Sequence, residues 1–273
     1  MWPDANPYHR GMVPRWRYVL PSIVTCVSIT MALLAITEAV AGRFESSAWF
    51  ILLSVCLDKA DGTLARLLRA SSRFGVQMDS LSDLIAFGVA PAVLVLAMLT
   101  GHASLTSLAQ VSAYRALVYV GAFLYVIATT LRLAKFNVLT DVYGKEFFFG
   151  IPSTLAGGLT AAYLLTVRTY GLPLRCLEVV PGLLVALALL MVSRVPLPKV
   201  NKRKTMVVNV FQIANVAFAY VCILLRILPG YLVVVCVAYL VGGTAWALAK
   251  GIKPPRQPEP PAPRADGEGA ISP

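Results

Sequence analysis

Four aspartates lie close together in the sequence, between strongly apolar runs: Asp58, Asp61, Asp79 and Asp83. Charged side chains in or at a membrane are costly and usually serve a function. Carboxylates that converge in a poorly solvated place repel one another unless they share protons or cations. Since no Cys or His lies in the stretch 58–83, oxygen ligation favours Mg²⁺ or Mn²⁺, with Ca²⁺ possible, over zinc. Two such ions would suit transfer of a phosphoryl group, because the attacking and leaving oxygens both need charge stabilisation.

The spacing places the acids in two pairs, each on one face of a helix. Asp58 and Asp61 are three residues apart, about 60° around a helix, and Asp79 and Asp83 are four apart, about 40°. The segment 67–75 between the pairs is polar and long enough to reverse the chain. The sequence therefore predicts a helical hairpin across which the two pairs face each other.

The elements around this hairpin are those of a membrane protein. A chain of 273 residues that is 58% hydrophobic, with mean hydropathy +0.74, is too apolar for an ordinary soluble domain. We expect an all-α polytopic membrane protein with about eight transmembrane helices. The apolar runs are 18–41 and, approximately, 47–66, 76–99, 112–134, 153–167, 177–193, 206–225 and 229–249.

The net charge of +11 lies mostly between these runs, which indicates orientation in a bilayer rather than nucleic-acid binding. Basic residues are concentrated at alternate helix ends, and only a minority falls at the others: Arg43, Arg115, Arg168, Arg175 and Arg226. The richer ends should be cytoplasmic. We therefore expect an integral protein of a bacterial-type cytoplasmic (inner) membrane, with both termini and the open end of the acid hairpin in the cytoplasm.

The remaining reactive residue types add little. The five cysteines show no CxxC spacing and mostly lie inside apolar runs, so no disulfide framework is expected. The only histidines, His9 and His102, lie in a tail and a loop. General acid or base catalysis must therefore fall to carboxylates.

The acid stretch follows the pattern D-x2-D-G-x2-A-R-x8-G-x3-D-x3-D. It resembles, without a departure at any fixed position, the signature of the CDP-alcohol phosphotransferase family. The fixed residues are Asp58, Asp61, Gly62, Ala65, Arg66, Gly75, Asp79 and Asp83. The resemblance implies transfer of a phosphatidyl or phosphoalcohol group from a CDP-linked donor to an alcohol, with release of CMP. It also implies a homodimer.

The resemblance further implies roles for individual residues. Asp58, Asp61 and Asp79 would hold the two metal ions, and Asp83 would also touch a metal and act as the proton acceptor. The residues that match positions of the CDP-diacylglycerol site are Gly62, Ala65, Arg66, Ser72, Pro21, Ser22, Ile23 and Val24. Small residues allow a nucleotide to approach, and Arg can make a forked contact to phosphate. Ser72 is equally well explained as a turn serine.

Three other stretches, DSLSDLIAFGVAPA from Asp79, RLAKFN from Arg132 and FFGIPSTLAGG from Phe148, resemble the phosphatidylserine synthase branch of this family. The donor would then be CDP-diacylglycerol and the acceptor L-serine. Arg132, Lys135 and Asn137 would meet serine's carboxylate or the donor's phosphates. Basic residues at a cytoplasmic helix end are also expected from topology alone, so this second explanation stays open.

The implied organisation has four parts. Residues 1–16 form an interfacial segment, 17–200 a six-helix catalytic core, 201–250 two additional transmembrane helices, and 251–273 a disordered, proline-rich cytoplasmic tail. The loop 138–152, with its phenylalanines 147–149, is a candidate lid over the acceptor site, although an interfacial aromatic belt explains them as well.

Two alternatives remain open. The signature is common to enzymes that use other acceptors, such as glycerol 3-phosphate or an inositol phosphate, but a phosphorylated acceptor would require more basic residues than Arg132 and Lys135. Intramembrane carboxylates also occur in cation-coupled transporters, which usually have two matching halves. No counterpart of the acid hairpin occurs in residues 150–249.

Overall fold

The computed structural model describes residues 16–68, 72–101, 111–139, 147–198 and 206–251. The predictions for the N-terminal segment, for His102, for residues 140–146 of the candidate lid and for the proline-rich tail beyond residue 251 lie outside these ranges. Within them the chain is almost entirely helical. The helices are α1 Trp16–Val40, α2 Phe44–Leu67, α3 Arg73–Asp83, α4 Ala90–Thr100, α5 Ser112–Leu139, α6 Ser153–Thr169, α7 Arg175–Glu178, α8 Val180–Val192, α9 Met206–Leu225 and α10 Pro229–Ala249.

The expected all-α membrane fold is confirmed, and each predicted apolar run coincides with helical structure. Among the described residues, five helical segments are long and apolar enough to cross a membrane: Val19–Val40, Phe74–Thr100, Ser112–Val138, Arg175–Val192 and Pro229–Ala249. The runs in α2, α6 and α9 are helical as well but do not meet that criterion, and α2 carries the first acid pair. Their passage through the bilayer stays a prediction.

The third predicted run is one continuous helical segment that contains an irregularity. Between α3 and α4, residues Leu84–Val89 form a π-helix, referred to below as the π-segment. It begins directly after Asp83. The periodicity of the sequence predicted an unbroken α-helix at this point. The widened turn was therefore not predicted from the sequence.

Helices α1 and α2 pack most extensively against each other, and small residues allow their close approach. Ala35 and Ala39 of α1 are fully buried, as is Ile51 of α2, and all three belong to one hydrophobic cluster. Close packing of this kind stabilises the helix pair by dispersion over its whole length. The α1–α2 pair thereby forms one wall of the bundle, and α2 carries the first acid pair on it.

The two ends of the bundle differ in chemistry. At one end, Glu45 at the start of α2 forms an ion pair with Arg168 at the end of α6, with 3.2 Å between Oε1 and Nε. Arg43 and Glu38 pair in the turn between α1 and α2. The four aspartates lie toward the other end, where α2 finishes and α3 begins. This up-and-down arrangement agrees with the alternation of charges in the sequence.

A short antiparallel ladder joins the segment before α6 to the segment after α8. Strand β1, Phe147–Phe149, pairs with β2, Pro196–Pro198, with Phe148 opposite Leu197. Gly150 follows at φ +87°, and a Cβ there would lie 2.4 Å from the carbonyl oxygen of Met191. Only glycine fits this turn. The described part of the candidate lid is thus anchored to the fold by backbone pairing.

The last two helices contact the rest of the bundle, α10 through α6 and β2, and α9 through α2. The Tyr239 hydroxyl of α10 donates to the carbonyl of Pro198 in β2 over 2.7 Å. Tyr231 of α10 donates to Oδ1 of Asn215 in α9 over 2.9 Å. Helix α10 therefore supports the β ladder, and through it the start of α6.

Candidate active site

The hairpin of α2 and α3 brings the acids together. One carboxylate oxygen each from Asp58, Asp61 and Asp79 can be chosen so that all three lie within 4.8 Å of one another. Asp83, one turn after Asp79 on α3, lies near Asp58 and Asp79. Four carboxyl groups this close require protons or cations between them. Helix periodicity, with acids three and four residues apart, is sufficient to explain the convergence.

The surroundings of Asp61 fit a cation. Asp61 is only 4% exposed, and its Oδ2 accepts a hydrogen bond from the Thr25 hydroxyl of α1 over 3.0 Å. Its Oδ1 is buried and has no hydrogen-bond partner among the described residues. An unpaired buried carboxylate oxygen is costly unless a cation satisfies it. Within the described part of the chain the cluster consists of carboxylates without His or Cys, which matches the ligands that Mg²⁺ and Mn²⁺ prefer.

Thr25 is a site residue that the sequence reasoning missed. Its hydroxyl is also 3.1 Å from the carbonyl oxygen of Pro21, four residues earlier in α1. Proline inside a helix removes one backbone hydrogen bond and loosens the turn. The signal in the sequence was therefore a threonine one turn after Pro21, on a face of α1 that also carries the buried Ser28.

The four consecutive residues from Pro21 to Val24 do not all face the acids. Pro21 is buried, whereas Ile23 is 51% exposed on the outer side of α1. Ser22 and Val24 are half-buried. Only one side of this turn, with Pro21 and Thr25, lies against the acid hairpin.

Next to the first acid pair the surface of α2 is open. A Cβ added to Gly62 would meet no atom within 4 Å, so packing of the protein does not require glycine here. Ala65 is half-buried, and Arg66 is exposed with its Nη2 3.2 Å from the Thr63 hydroxyl. The space over Gly62 and the guanidinium of Arg66 lie on the same helix end as Asp58 and Asp61.

Ser72 has a clear structural task. It is the N-cap of α3, and its Oγ accepts a hydrogen bond from the backbone N–H of Gly75 over 2.9 Å. N-caps of this kind typically contribute about 1 kcal/mol. The explanation of Ser72 as a turn serine is therefore sufficient for its position, and any contact with a donor would come in addition.

The predicted acceptor residues lie on α5 along one edge of the acid cluster. The Arg132 guanidinium faces Asp83 and Asp58, and its Nη1 donates to the Ser153 hydroxyl at the start of α6 over 2.6 Å. Nδ2 of Asn137 donates to the Ser80 hydroxyl of α3 over 2.9 Å. Lys135, which lies between Arg132 and Asn137 in the sequence, is half-buried. Arg132 thus places a positive charge near the acids without forming an ion pair with them among the described residues. Asn137 joins α5 to α3.

The arrangement combines a negative centre with positive edges. The acids form the centre, Arg66 lies on α2 at one side and Arg132 on α5 at the other. Cations in the centre and guanidinium groups at the edges are the combination that binds a diphosphate. Oriented charges of this kind can also stabilise a phosphoryl group during its transfer.

Comparison with known proteins supports this chemistry. The family described as CDP-alcohol phosphatidyltransferase matches residues 18–249 of the chain. A CDP-diacylglycerol–serine O-phosphatidyltransferase from Helicobacter pylori strain J99 is 33% identical over 188 residues, which cover 68% of this chain and 75% of that protein. The enzyme of the same name from Mycobacterium leprae is 36% identical over 155 residues, 55% of this chain and 47% of that protein. An archaetidylserine synthase from Methanothermobacter thermautotrophicus is 30% identical over 184 residues, 67% and 70% of the two chains.

Proposed function

The chain belongs to the CDP-alcohol phosphatidyltransferase family, and we propose that it transfers the phosphatidyl group of CDP-diacylglycerol to the hydroxyl of L-serine, giving phosphatidylserine and CMP in phospholipid biosynthesis. The observation that carries the proposal is the convergence of three aspartates within 4.8 Å on the α2–α3 hairpin. The names of the relatives support serine as the acceptor.

Asp58, Asp61, Asp79 and Asp83 would hold two divalent cations, Mg²⁺ or Mn²⁺. When bound, they neutralise the diphosphate of the donor and the charge that develops on the leaving phosphate. The buried, unpaired Oδ1 of Asp61 supports this assignment. Thr25 holds the other oxygen of the same carboxylate and so fixes its orientation.

The donor lies along α1 and α2. Its cytidine and ribose occupy the open space over Gly62 and Ala65, and Arg66 contacts the phosphate that leaves with CMP. Its acyl chains remain in lipid beside the exposed side of α1, where Ile23 lies. Ser72 contributes by fixing the start of α3.

Asp83 acts as the proton acceptor. It takes the proton of the serine hydroxyl while that oxygen forms a bond to the phosphorus carrying the diacylglycerol, and the bond from this phosphorus to the CMP oxygen breaks. An aspartate of ordinary pKa is a weak base. Proton transfer therefore accompanies formation of the new bond rather than preceding it.

Arg132 orients the acceptor. Its guanidinium lies between Asp83 and Ser153, where a forked contact to the carboxylate of serine would place the hydroxyl near Asp83. Lys135 adds positive charge on the same helix. Asn137 acts through Ser80 by holding α5 against α3.

As a candidate lid, the loop 138–152 would cover the acceptor site, with residues 147–149 held by their pairing with β2. Replacing Phe147, Phe148 and Phe149 with leucine should preserve an interfacial anchor but weaken serine binding if the segment is a lid. Unchanged serine affinity in that variant would contradict the lid.

The active site faces the cytoplasm, both termini are cytoplasmic and the chain acts as a homodimer.

One assay tests the proposed reaction. Purified protein in detergent receives CDP-diacylglycerol and Mg²⁺ or Mn²⁺, and CMP release is compared with serine, glycerol 3-phosphate and an inositol phosphate as acceptors. We expect metal-dependent CMP release only with serine. Release only with a phosphorylated alcohol would reassign the acceptor, and the absence of CMP with every alcohol would contradict the proposed reaction. Metal-dependent CMP release in detergent, without any gradient, would rule out cation-coupled transport as the main activity.

A further inference from the structure

The π-segment begins immediately after the second acid pair, and its cause is visible in the sequence. Pro91 lies one residue into α4. A proline has no backbone N–H, so a regular α-helix would leave the carbonyl four residues earlier, that of Phe87, without its donor, and the proline ring would press against it. In the structure the turn widens instead, and the N–H of Ala90 bonds to the carbonyl of Ile85 five residues back.

Tyr125 of α5 supplies the missing donor. Its hydroxyl donates to the Phe87 carbonyl over 2.9 Å, and the side chain is fully buried. A tyrosine is rarely buried so completely without such a partner. Because this carbonyl belongs to the π-segment, the bond joins α5 to the widened turn itself.

Two glycines let neighbouring helices enclose the turn. A Cβ on Gly88 would lie 3.1 Å from Cγ2 of Thr129 in α5, and a Cβ on Gly157 of α6 would lie 3.0 Å from Cα of Phe87. Helices α5 and α6 thus contact the π-segment from two sides. The geometry of the turn is set by its surroundings as well as by its own sequence.

The widened turn changes the direction in which the acids point. In an unbroken α-helix, Asp79 and Asp83 would lie roughly 90° away from the side that carries Leu94, Val95 and Met98. These three α4 residues are buried in the core. A π-turn holds one more residue than an α-turn and rotates the helix beyond it by about 100°, one residue's step. The acid face and the buried face of α4 therefore come onto the same side, toward the bundle interior.

We propose that Tyr125 is a positioning residue for the metal site: by holding the Phe87 carbonyl in the π-segment, it keeps Asp79 and Asp83 aimed at Asp58 and Asp61. Tyr125 itself touches neither substrate nor metal. The inference rests on the metal-binding part of the proposed function. It adds a residue on α5, far along the chain from the signature, to the set on which that site depends.

The first experiment replaces the tyrosine by phenylalanine, which removes only the hydroxyl. Mn²⁺ binding to purified protein, followed by electron paramagnetic resonance without substrates, should weaken about tenfold in Tyr125→Phe, the effect typical of losing an outer-shell contact. The kcat should fall by a similar factor at limiting Mn²⁺ and recover in part at saturating Mn²⁺. An unchanged Mn²⁺ affinity would overturn the proposal.

A matched control separates positioning from general loss of a buried bond. The Tyr163 hydroxyl of α6 donates to the carbonyl of Cys176 over 2.8 Å, the same type of bond in a part of the bundle remote from the acids. Tyr163→Phe should lower the unfolding temperature without changing Mn²⁺ affinity. Equal losses of Mn²⁺ affinity in both variants would contradict a specific role for Tyr125.

A second-site change tests the link to the π-segment. Pro91→Ala, added to Tyr125→Phe, restores a backbone N–H that can bond to Phe87 in an α-helical turn. We expect the unfolding temperature to recover while Mn²⁺ affinity stays low, since the acids would now be rotated. Recovery of both would show that satisfying the carbonyl is sufficient and would overturn the positioning role.

Should Tyr125→Phe fail to fold, Gly157→Ala tests the same idea with every hydrogen bond retained, because its Cβ presses on Phe87. It should also weaken Mn²⁺ binding, and unchanged binding would count against the proposal. If the unaltered protein binds no Mn²⁺, the metal-dependent function itself fails. If the unaltered protein and both variants bind Mn²⁺ equally, only the role of the π-segment fails.

Discussion

The hydroxyl of Thr25 on α1 donates a hydrogen bond to Oδ2 of Asp61 on α2 over 3.0 Å, within an interface that buries both side chains. This bond occupies one oxygen of the carboxylate and leaves Oδ1 available to a cation. Helix α1 therefore does more than cover α2, because it sets the orientation of a ligand on the neighbouring helix.

Replacing Thr25 with valine should weaken Mn²⁺ binding about tenfold, as expected when an outer-shell hydrogen bond to a ligand is lost. Valine preserves the shape of threonine and removes only the hydroxyl. The measurement is a Mn²⁺ titration of purified protein, paired with CMP release at limiting metal. The control is Thr30→Val, since the Thr30 hydroxyl donates to the Cys26 carbonyl of its own helix. Equal affinities in the two variants would argue against the role of Thr25.

Replacing Asp83 with asparagine should reduce turnover by at least about a hundredfold, the range lost with a general base. Asparagine keeps the size of the side chain but accepts no proton. Binding of CDP-diacylglycerol should survive, because Asp58, Asp61 and Asp79 remain. The measurement is CMP release beside equilibrium binding of the donor, with Glu45→Gln at the opposite end of the bundle as control. Substantial residual turnover would refute the base role.

The acid hairpin was predictable because the angular step of a helix fixes which side chains share a face. Asp58 with Asp61 and Asp79 with Asp83 needed no tertiary information beyond a reversal of the chain. The reversal itself is consistent with α2 ending at Leu67 and α3 beginning at Arg73. The apolar runs predicted the helices for a related reason, since burial in lipid or core imposes composition.

The positions that escaped prediction depend on contacts between helices. Thr25 looks like any polar residue of an apolar helix until α2 is placed against it. The π-segment was not predicted because helical periodicity assumes a constant rotation per residue. Pro91 and Tyr125 together change that rotation. Asn137 was expected to contact substrate, and its hydrogen bond to Ser80 was not predicted. Its predicted substrate contact stays a prediction.

Replacing Gly62 with alanine should impair donor binding without harming the fold. The added Cβ meets no protein atom within 4 Å, and alanine is the better helix former by roughly 0.5–1 kcal/mol. We expect an unchanged or higher unfolding temperature and a several-fold higher KM for CDP-diacylglycerol. Gly182 of α8 is the matched control, because a Cβ there also meets nothing within 4 Å. An unaltered KM in Gly62→Ala would show that the open space is not the nucleotide site.

Replacing Arg132 with lysine should raise the KM for serine about tenfold or more while that for CDP-diacylglycerol changes little. Lysine keeps the charge but cannot make a forked contact to a carboxylate. The control is Arg226→Lys: both arginines lie 5.7 Å above a phenylalanine ring, Phe136 and Phe50 respectively, but Arg226 is at the end of α9. A rise in the donor's KM instead would assign Arg132 to the phosphates.

Replacing Gly150 with alanine should destabilise the start of α6. The residue has φ +87°, and its Cβ would lie 2.4 Å from the Met191 carbonyl oxygen, so both backbone strain of about 1–3 kcal/mol and a steric clash oppose the change. Because β1 leads through Gly150 to Ser153, which holds Arg132, serine turnover should fall together with the unfolding temperature.

Gly171→Ala separates the backbone strain of Gly150→Ala from its steric clash. Gly171 has φ +59°, but a Cβ there would meet nothing within 4 Å. It should therefore show the backbone strain alone and leave the KM for serine unchanged. If Gly150→Ala lowers stability no more than Gly171→Ala and serine KM is unaffected, the β ladder does not position Arg132. A selective rise of serine KM in Gly150→Ala would instead place the ladder in the chain of contacts that runs from Gly150 through Ser153 to the acids.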